Sequence, residues 1–439
     1  MDRRKFFSNL GLTALGLPLI KSAFGEEIMA AGASLATGAT GKVIVVGGGM
    51  AGTTAAKFLR FWGGTGMDVT LVEPNATYYS NIFSNMILTG ERTLSQLSYN
   101  YSTLISKYGV KVQPYSVKSM DPSGKKVTLS NGTILPYDRL ILAPGIDFEP
   151  LPLTGTTSNK AKIVHAWKAG TQTTSLQNQI KAMTKSDTFI LTIPPKPYRC
   201  PPGPYERACV VADYLKRTKG GGKVVILDAN SGIQAEPNNF TTAFNVTHKG
   251  MITYVPNAVV TGINADLMEV TVNSTTKYRG KVINAIPTHK AGDLIVNSGL
   301  GLANAPGPNS VPGKFAGVNV LTYESTVIPG IHIIGDSSAT TQPKAGHIAN
   351  AEAKVCAAAI IELLNFPDGS TINQAPVTNS SCFTPITQTT ASWLSVVYKY
   401  QNGVMVPTGN GVTESSGATS ENYEDMLKWF NNLMSDPFA

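Results

Sequence analysis

The run Gly47-Gly48-Gly49-Met50-Ala51-Gly52 constrains this chain more than any other feature, because of what stands on either side of it. Before it, Lys42-Val43-Ile44-Val45-Val46 is a short, apolar, β-branched run; after it, Ala51 to Leu59 is Ala-rich with helical spacing. A second strand, Asp68-Val69-Thr70-Leu71-Val72, ends in Glu73. In a strand, turn and helix of this kind Gly47 permits the tight turn, Gly49 lets the backbone approach a pyrophosphate, and Gly52 lets helix and strand pack closely. The helix N-terminus favours phosphate charge. Glu73 lies about twenty residues beyond the glycines, where a carboxylate would bond adenosine ribose hydroxyls. A dinucleotide-binding domain is expected here.

A second strand, helix, strand unit runs from Thr188–Ile193, through a helical Tyr205–Lys216, to Lys223–Asp228. It has the layout of another nucleotide fold without the fingerprint. Where glycines would cradle the pyrophosphate of NAD(P)H, the chain has the Pro-rich run 194–204. Prolines donate no amide hydrogen and their rings block backbone approach, so NAD(P)H is not expected to bind.

At 439 residues the chain is long enough for two or three domains. Its 36 basic and 28 acidic side chains give +8, but the basic residues are scattered and nucleic acid is not an expected partner. Four cysteines, none in CxxC or CxxCH, argue against a disulfide scaffold, a zinc knuckle or a self-carried c-type haem. Residues 1–40 read as a twin-arginine export signal and linker: Arg3-Arg4-Lys5-Phe6-Phe7, an apolar stretch Leu10–Ile20, then small-residue sites. The apolar stretch is about half of what spans a bilayer, so no integral membrane span is expected, and the expected location is the periplasm.

Among the cysteines, Cys209 and Cys356 lie in apolar helical surroundings and read as core. Cys200 precedes a helix that Pro204 can start, a place where a positive helix end lowers a thiol pKa and favours the thiolate; a plain loop cysteine is the alternative. Cys382 stands in the polar stretch 379–384, read as a loop, and is a candidate partner for Cys200 that sequence alone does not fix.

Two later runs, Tyr137–Gly145 and Gly330–Asp336, resemble the remaining signatures of the two-dinucleotide-domain flavoproteins, in which the Asp of Gly-Asp holds the ribityl chain of FAD. The run Cys200–Ala208, with Pro343-Lys344-Ala345-Gly346, the Cys382 stretch, Trp393–Tyr400 and the ending near Trp429–Asn432, resembles the flavoprotein subunit of flavocytochrome c sulfide dehydrogenase.

That resemblance covers essentially all of 40–439. It implies an α/β fold of two Rossmann-like, glutathione-reductase-like domains plus a C-terminal α+β interface domain. The expected boundaries are 41–152 with 285–370 for FAD, 153–284 for the second Rossmann-like unit, and 371–439 for the C-terminal domain. It also implies a Cys200–Cys382 redox disulfide against the flavin, Glu206 close enough to move protons, a small inorganic sulfur substrate and a c-type cytochrome subunit as electron acceptor. FAD contacts are expected from Gly47, Gly49, Gly52, Glu73, Asn81, Val117, Ala143, Gly145, Gly335, Asp336, Lys344 and Ala349. The helix after Lys344 would aim its amides at the flavin pyrimidine.

One departure stands out. The family attaches FAD through a cysteine in the segment matching Tyr78–Asn85, and here that position is Asn81, so FAD is expected to be bound without a covalent link. Two other readings remain open: a sulfide:quinone oxidoreductase, and a non-catalytic, FAD-stabilised interaction subunit. The C-terminal segment Tyr423–Leu433 is amphipathic, with polar and acidic flanks that favour a core or partner face over membrane docking.

Overall fold

The computed structural model describes residues 38–306, 313–409 and 411–439. The export signal read at 1–40 therefore falls, except for its last three residues, outside the described residues. The first sheet has the strand order 338–339, 316–319, 324–325, 331–333, 139–142, 41–46, 67–72, 111–113. Its last five strands run parallel, with Val43 opposite Val69 and Arg139. Alternation along Gly41–Val46 divides two cores: Val43 and Val45 join Ala55, Leu59 and Ile360 on one face, while Ile44 and Val46 join Leu129 and Leu142 on the other. The helix Met50–Gly63 packs with the helix Gly346–Asn365 over the first of these faces.

A second sheet is also parallel, in the order 252–255, 223–228, 188–193, 282–285. Its covering helix runs Gly203–Lys219, starting two residues before the expected helix. Pro204 sits in its first turn, where a missing N–H costs nothing, and Gly220 closes it at φ +70° beside Lys216, Arg217 and Lys219. Cys209 and Cys356 are fully buried.

The expected polar loop around Cys382 is instead a nine-residue strand, Val377–Pro385, paired antiparallel with Ala391–Gln401. Polarity misled the sequence reading because the inward face of this strand carries Thr378, Ser380, Cys382 and Thr384 rather than apolar side chains. The chain ends in the helix Ser420–Phe438, whose Met426, Phe430, Leu433, Met434 and Phe438 are buried in the first domain's core. Phe430 stacks on Phe83 at 4.1 Å, and Phe438 lies against Tyr78 and Tyr99. The amphipathic face is thus spent on intramolecular packing. Among the described residues no helix is long and apolar enough to cross a membrane.

Candidate active site

The turn after the first strand is shaped by steric need. Gly47 lies at φ +104°, and a Cβ there would meet the carbonyl oxygen of Ala143 at 2.3 Å. A Cβ on Gly52 would stand 1.8 Å from the oxygen of Gly47, which is the close helix–strand approach expected of that glycine. Gly49 caps the helix Met50–Gly63 with no side chain in the way. Glu73, at the end of its strand, accepts from the backbone N–H of Gly48 at 2.7 Å and from Asn75.

From this turn a cavity of about 670 Å³ runs between the two domains to the C-terminal sheet, a volume suited to a dinucleotide-sized ligand. Gly47, Gly49, Glu73, Asn81, Val117, Ala143, Gly145, Gly335, Asp336 and Ala349 all line it, and so do Cys200, Glu206 and Cys382. Gly52 and Lys344 do not: Gly52 packs beneath the turn, and Lys344 stands behind the wall, donating to Ser338 O at 2.8 Å with its ammonium 3.8 Å from the Phe315 ring. What Lys344 does supply is its carbonyl, which accepts from the N–H of Cys200 at 2.7 Å.

Cys200 sits between the second sheet and its helix at φ +58°, a left-handed conformation rare for a residue with a Cβ. A Cβ on Gly203 would come within 2.8 Å of the Cys200 sulfur, so glycine there leaves room for the thiol. Cys382 enters from the C-terminal sheet. Both are free thiols in this structure. The expectation that the helix end would lower the Cys200 pKa is not met: burial, and next the Glu206 carboxyl, push the thiol well up. One helix end does not offset the loss of water around a thiolate.

Glu206, in the first turn of its helix, accepts from Asn85 Nδ2 at 2.8 Å, and burial pushes its carboxyl up to about 8. It is therefore protonated at neutral pH and able to give a proton. Its neighbour Arg207 is buried and donates to Asn85, Asn284 and the carbonyls of His165 and Ala166, with its guanidinium 4.6 Å from the Trp167 ring. Asn85 thus bridges the acid and the guanidinium. The sequence reading quoted Asn85 and Arg207 within longer runs without giving either a role. Also unassigned were His347, in the first turn of Gly346–Asn365, whose Nδ1 accepts from the Ser381 N–H at 3.0 Å, and Trp429. Nothing in residue type separates them from ordinary core side chains.

The residues fit FAD. The bare helix N-terminus and Glu73 suit an adenosine pyrophosphate, and Asp336, just past its strand, suits the ribityl hydroxyls. Arg199 stands 4.0 Å from Asp336. Asn81 Oδ1 accepts from the Ala169 N–H at 2.8 Å, so the side chain at the family's attachment position is engaged in a loop contact.

At the second nucleotide crevice the protein's own polar groups bond to one another. Asp228, at the carboxyl end of its strand and fully buried, accepts from Tyr205 and Tyr254 at 2.7 and 2.9 Å and from Asn230. Asn230 also ties Pro194 O and Lys196 N together across the opening.

Residues 41–186 match the pyridine nucleotide-disulphide oxidoreductase family, and residues 173–287 match the central domain of the sulfide dehydrogenase (flavocytochrome c) flavoprotein chain. Residues 41–186 thus carry a pyridine nucleotide-disulphide oxidoreductase domain. FAD is its cofactor.

Two further relatives and a solved structure are similar to this chain. The mitochondrial sulfide:quinone oxidoreductase of Schizosaccharomyces pombe is 23% identical over 78% of this chain and 77% of that protein. Ferroptosis suppressor protein 1 of Taeniopygia guttata is 30% identical over 26% of this chain, a match spanning 30% of that protein's length. Among solved structures, the sulfide:quinone oxidoreductase of Aquifex aeolicus superposes with a TM-score of 0.70 at 16% identity, covering 90% of this chain and 91% of that one, which shows the shared fold.

Proposed function

We propose that this flavoprotein oxidises sulfide or a related reduced sulfur species through a Cys200–Cys382 redox disulfide and hands the electrons to a c-type cytochrome subunit in the periplasm. The observation that supports this reading is the meeting of Cys200, Cys382 and the protonated Glu206 on one cavity that also holds the glycine turn. Two thiols from distant parts of the chain, beside an acid, have little use in a protein that only binds FAD.

In the oxidised state hydrosulfide attacks one sulfur of the disulfide; the S–S bond breaks, a persulfide forms on the attacked cysteine and the other leaves as a thiolate. Glu206, holding its proton near neutral pH, supplies it to that thiolate, whose burial makes the bare anion costly. Asn85 orients the carboxyl for this transfer through its 2.8 Å bond. When bound, FAD takes two electrons at once and releases them singly, which connects a two-electron thiol couple to a one-electron haem carrier. The Pro-rich run 194–204 and the engaged Asp228 argue against NAD(P)H as the electron donor.

Anaerobic addition of sulfide to the purified protein should bleach the flavin, and Cys200→Ser should abolish this bleaching while leaving FAD bound. Reoxidation should be faster with cytochrome c than with a soluble quinone. Bleaching that survives in the Cys200→Ser protein would overturn the disulfide reading, and preferential reoxidation by quinone would move the function to the sulfide:quinone class.

A further inference from the structure

The Cys200–Cys382 reading leaves one buried acid unused. Glu236 is 2% exposed and lies just before the helix Pro237–Thr242, yet its side chain makes no capping bond to that helix. Instead the carboxyl turns to the Cys382 sheet, accepting from Thr384 Oγ1 at 2.6 Å and from Ser392 Oγ, with Asn239 Nδ2 at 3.4 Å. Thr384 and Ser392 face one another across the two strands, and Thr384 is two residues beyond Cys382, so its side chain shares the inward face with that thiol.

The charged and titratable groups around Glu236 are Glu206 and Cys209 on the Gly203–Lys219 helix, Cys382 on its strand, and Glu414 on the edge strand Thr413–Glu414. None is a cation. An acid buried among acids and thiols costs stability unless it is held neutral, and burial pushes Glu236 up to about 7. Each thiol has its own acid as the largest charged influence: Glu206 on Cys200 and Glu236 on Cys382.

We propose that Glu236 is the proton-holding partner of Cys382, as Glu206 is of Cys200, so that the site carries one carboxyl for each sulfur. The assignment rests on the redox dithiol reading and completes its balance. A second hydrosulfide carries the outer sulfur of the persulfide away as hydrodisulfide and leaves two thiols; oxidising these to the disulfide removes two electrons, which go to the flavin, and two protons, each of which needs a base in a buried site. Glu206, left as a carboxylate once it has protonated the first thiolate, takes one. Glu236, whose carboxyl burial pushes up to about 7, takes the other from the inward face of the strand that Thr384 and Cys382 share.

The test uses holoenzyme reduced with a phosphine, with each cysteine's alkylation by iodoacetamide followed across pH by peptide mapping. Removing the carboxylate in Glu236→Gln lowers the Cys382 pKa, so its alkylation at pH 8 should rise roughly three- to tenfold while that of Cys200 changes less than twofold. Sulfide-dependent flavin reduction should fall by about tenfold or more and recover in part in Glu236→Asp. An unchanged Cys382 profile overturns the proposal, and so does an equal rise at both cysteines, which marks loosened packing. Should Glu236→Gln lose its flavin, Glu236→Asp decides alone: a Cys382 rate above that of the unmodified protein supports the pairing and an equal one refutes it. If the unmodified protein shows no flavin reduction by sulfide, the substrate reading fails, and the alkylation profiles still decide the Glu236 pairing.

Discussion

Glu206 shows how burial sets chemistry at a single residue. Its folded carboxyl titrates near 8 against an ordinary 4.5, with desolvation the main cause and the Asn85 hydrogen bond pulling the other way. Between these values the native protein keeps a proton that the unfolded chain releases. Stability from this group is therefore full below about pH 4.5 and is lost as pH rises through 8. Glu236 and Glu352, both pushed up to about 7 by burial, act in the same direction. Thermal or urea unfolding of the protein should accordingly show stability falling from pH 7 to pH 8, above the range in which the five histidines, all held down by burial, act in the opposite direction, and Glu206→Gln should flatten that fall by about 1 kcal/mol. A slope of opposite sign, or a variant with the same slope as the unmodified protein, would contradict this. The residue type and position of Glu206 were legible in the sequence through its place after Cys200; its protonation was not, because that depends on the walls built by Asn85, Arg207 and the Cys382 sheet.

At the scale of elements, the second Rossmann-like unit keeps its strands and helix without the groups that would hold a dinucleotide. The Pro-rich stretch withholds amides, and Asp228, which could bond a ribose, is consumed by Tyr205, Tyr254 and Asn230. Neither NADH nor NADPH should bleach the flavin at a useful rate under anaerobic conditions, whereas rapid bleaching by either would show that this unit still binds a dinucleotide. The C-terminal helix makes a second case. Phe430, 4% exposed, stacks on Phe83, which begins the short helix carrying Asn85. Phe430→Ala should cost about 3–5 kcal/mol and weaken FAD retention, read by unfolding midpoint and by flavin content after gel filtration; full retention at unchanged midpoint would remove this helix from the support of the site. Strand and helix positions in both Rossmann-like units follow from β-branched runs and helical spacing. The Cys382 strand did not, since alternation of Thr, Ser and Cys against polar neighbours carries no hydrophobic period.

Across the whole molecule the cavity joins three sheets, and the flavin's attachment is decided by which side chains reach it. A thioether to the flavin 8-methyl group needs a thiol where Asn81 stands, and the two cysteines that line the cavity lie on other segments, Cys200 before the Gly203–Lys219 helix and Cys382 on the C-terminal strand; an amide is too weak a nucleophile. Acid precipitation should leave the yellow colour in the supernatant as free FAD, and a flavin-bearing peptide in the pellet would show otherwise. What the sequence determined by itself is local: a glycine turn between strand and helix, an acid at the next strand's end, prolines in place of a second turn. These act over a few neighbouring residues, so spacing alone reveals them. Only the tertiary structure decided that Cys200 and Cys382 share a cavity, that Lys344 turns away from it, that Glu236 lies behind Cys382, and that both thiols are pushed up rather than down. Those outcomes depend on distances between segments remote in the chain and on the water that packing excludes, and neither quantity is written in the order of residues.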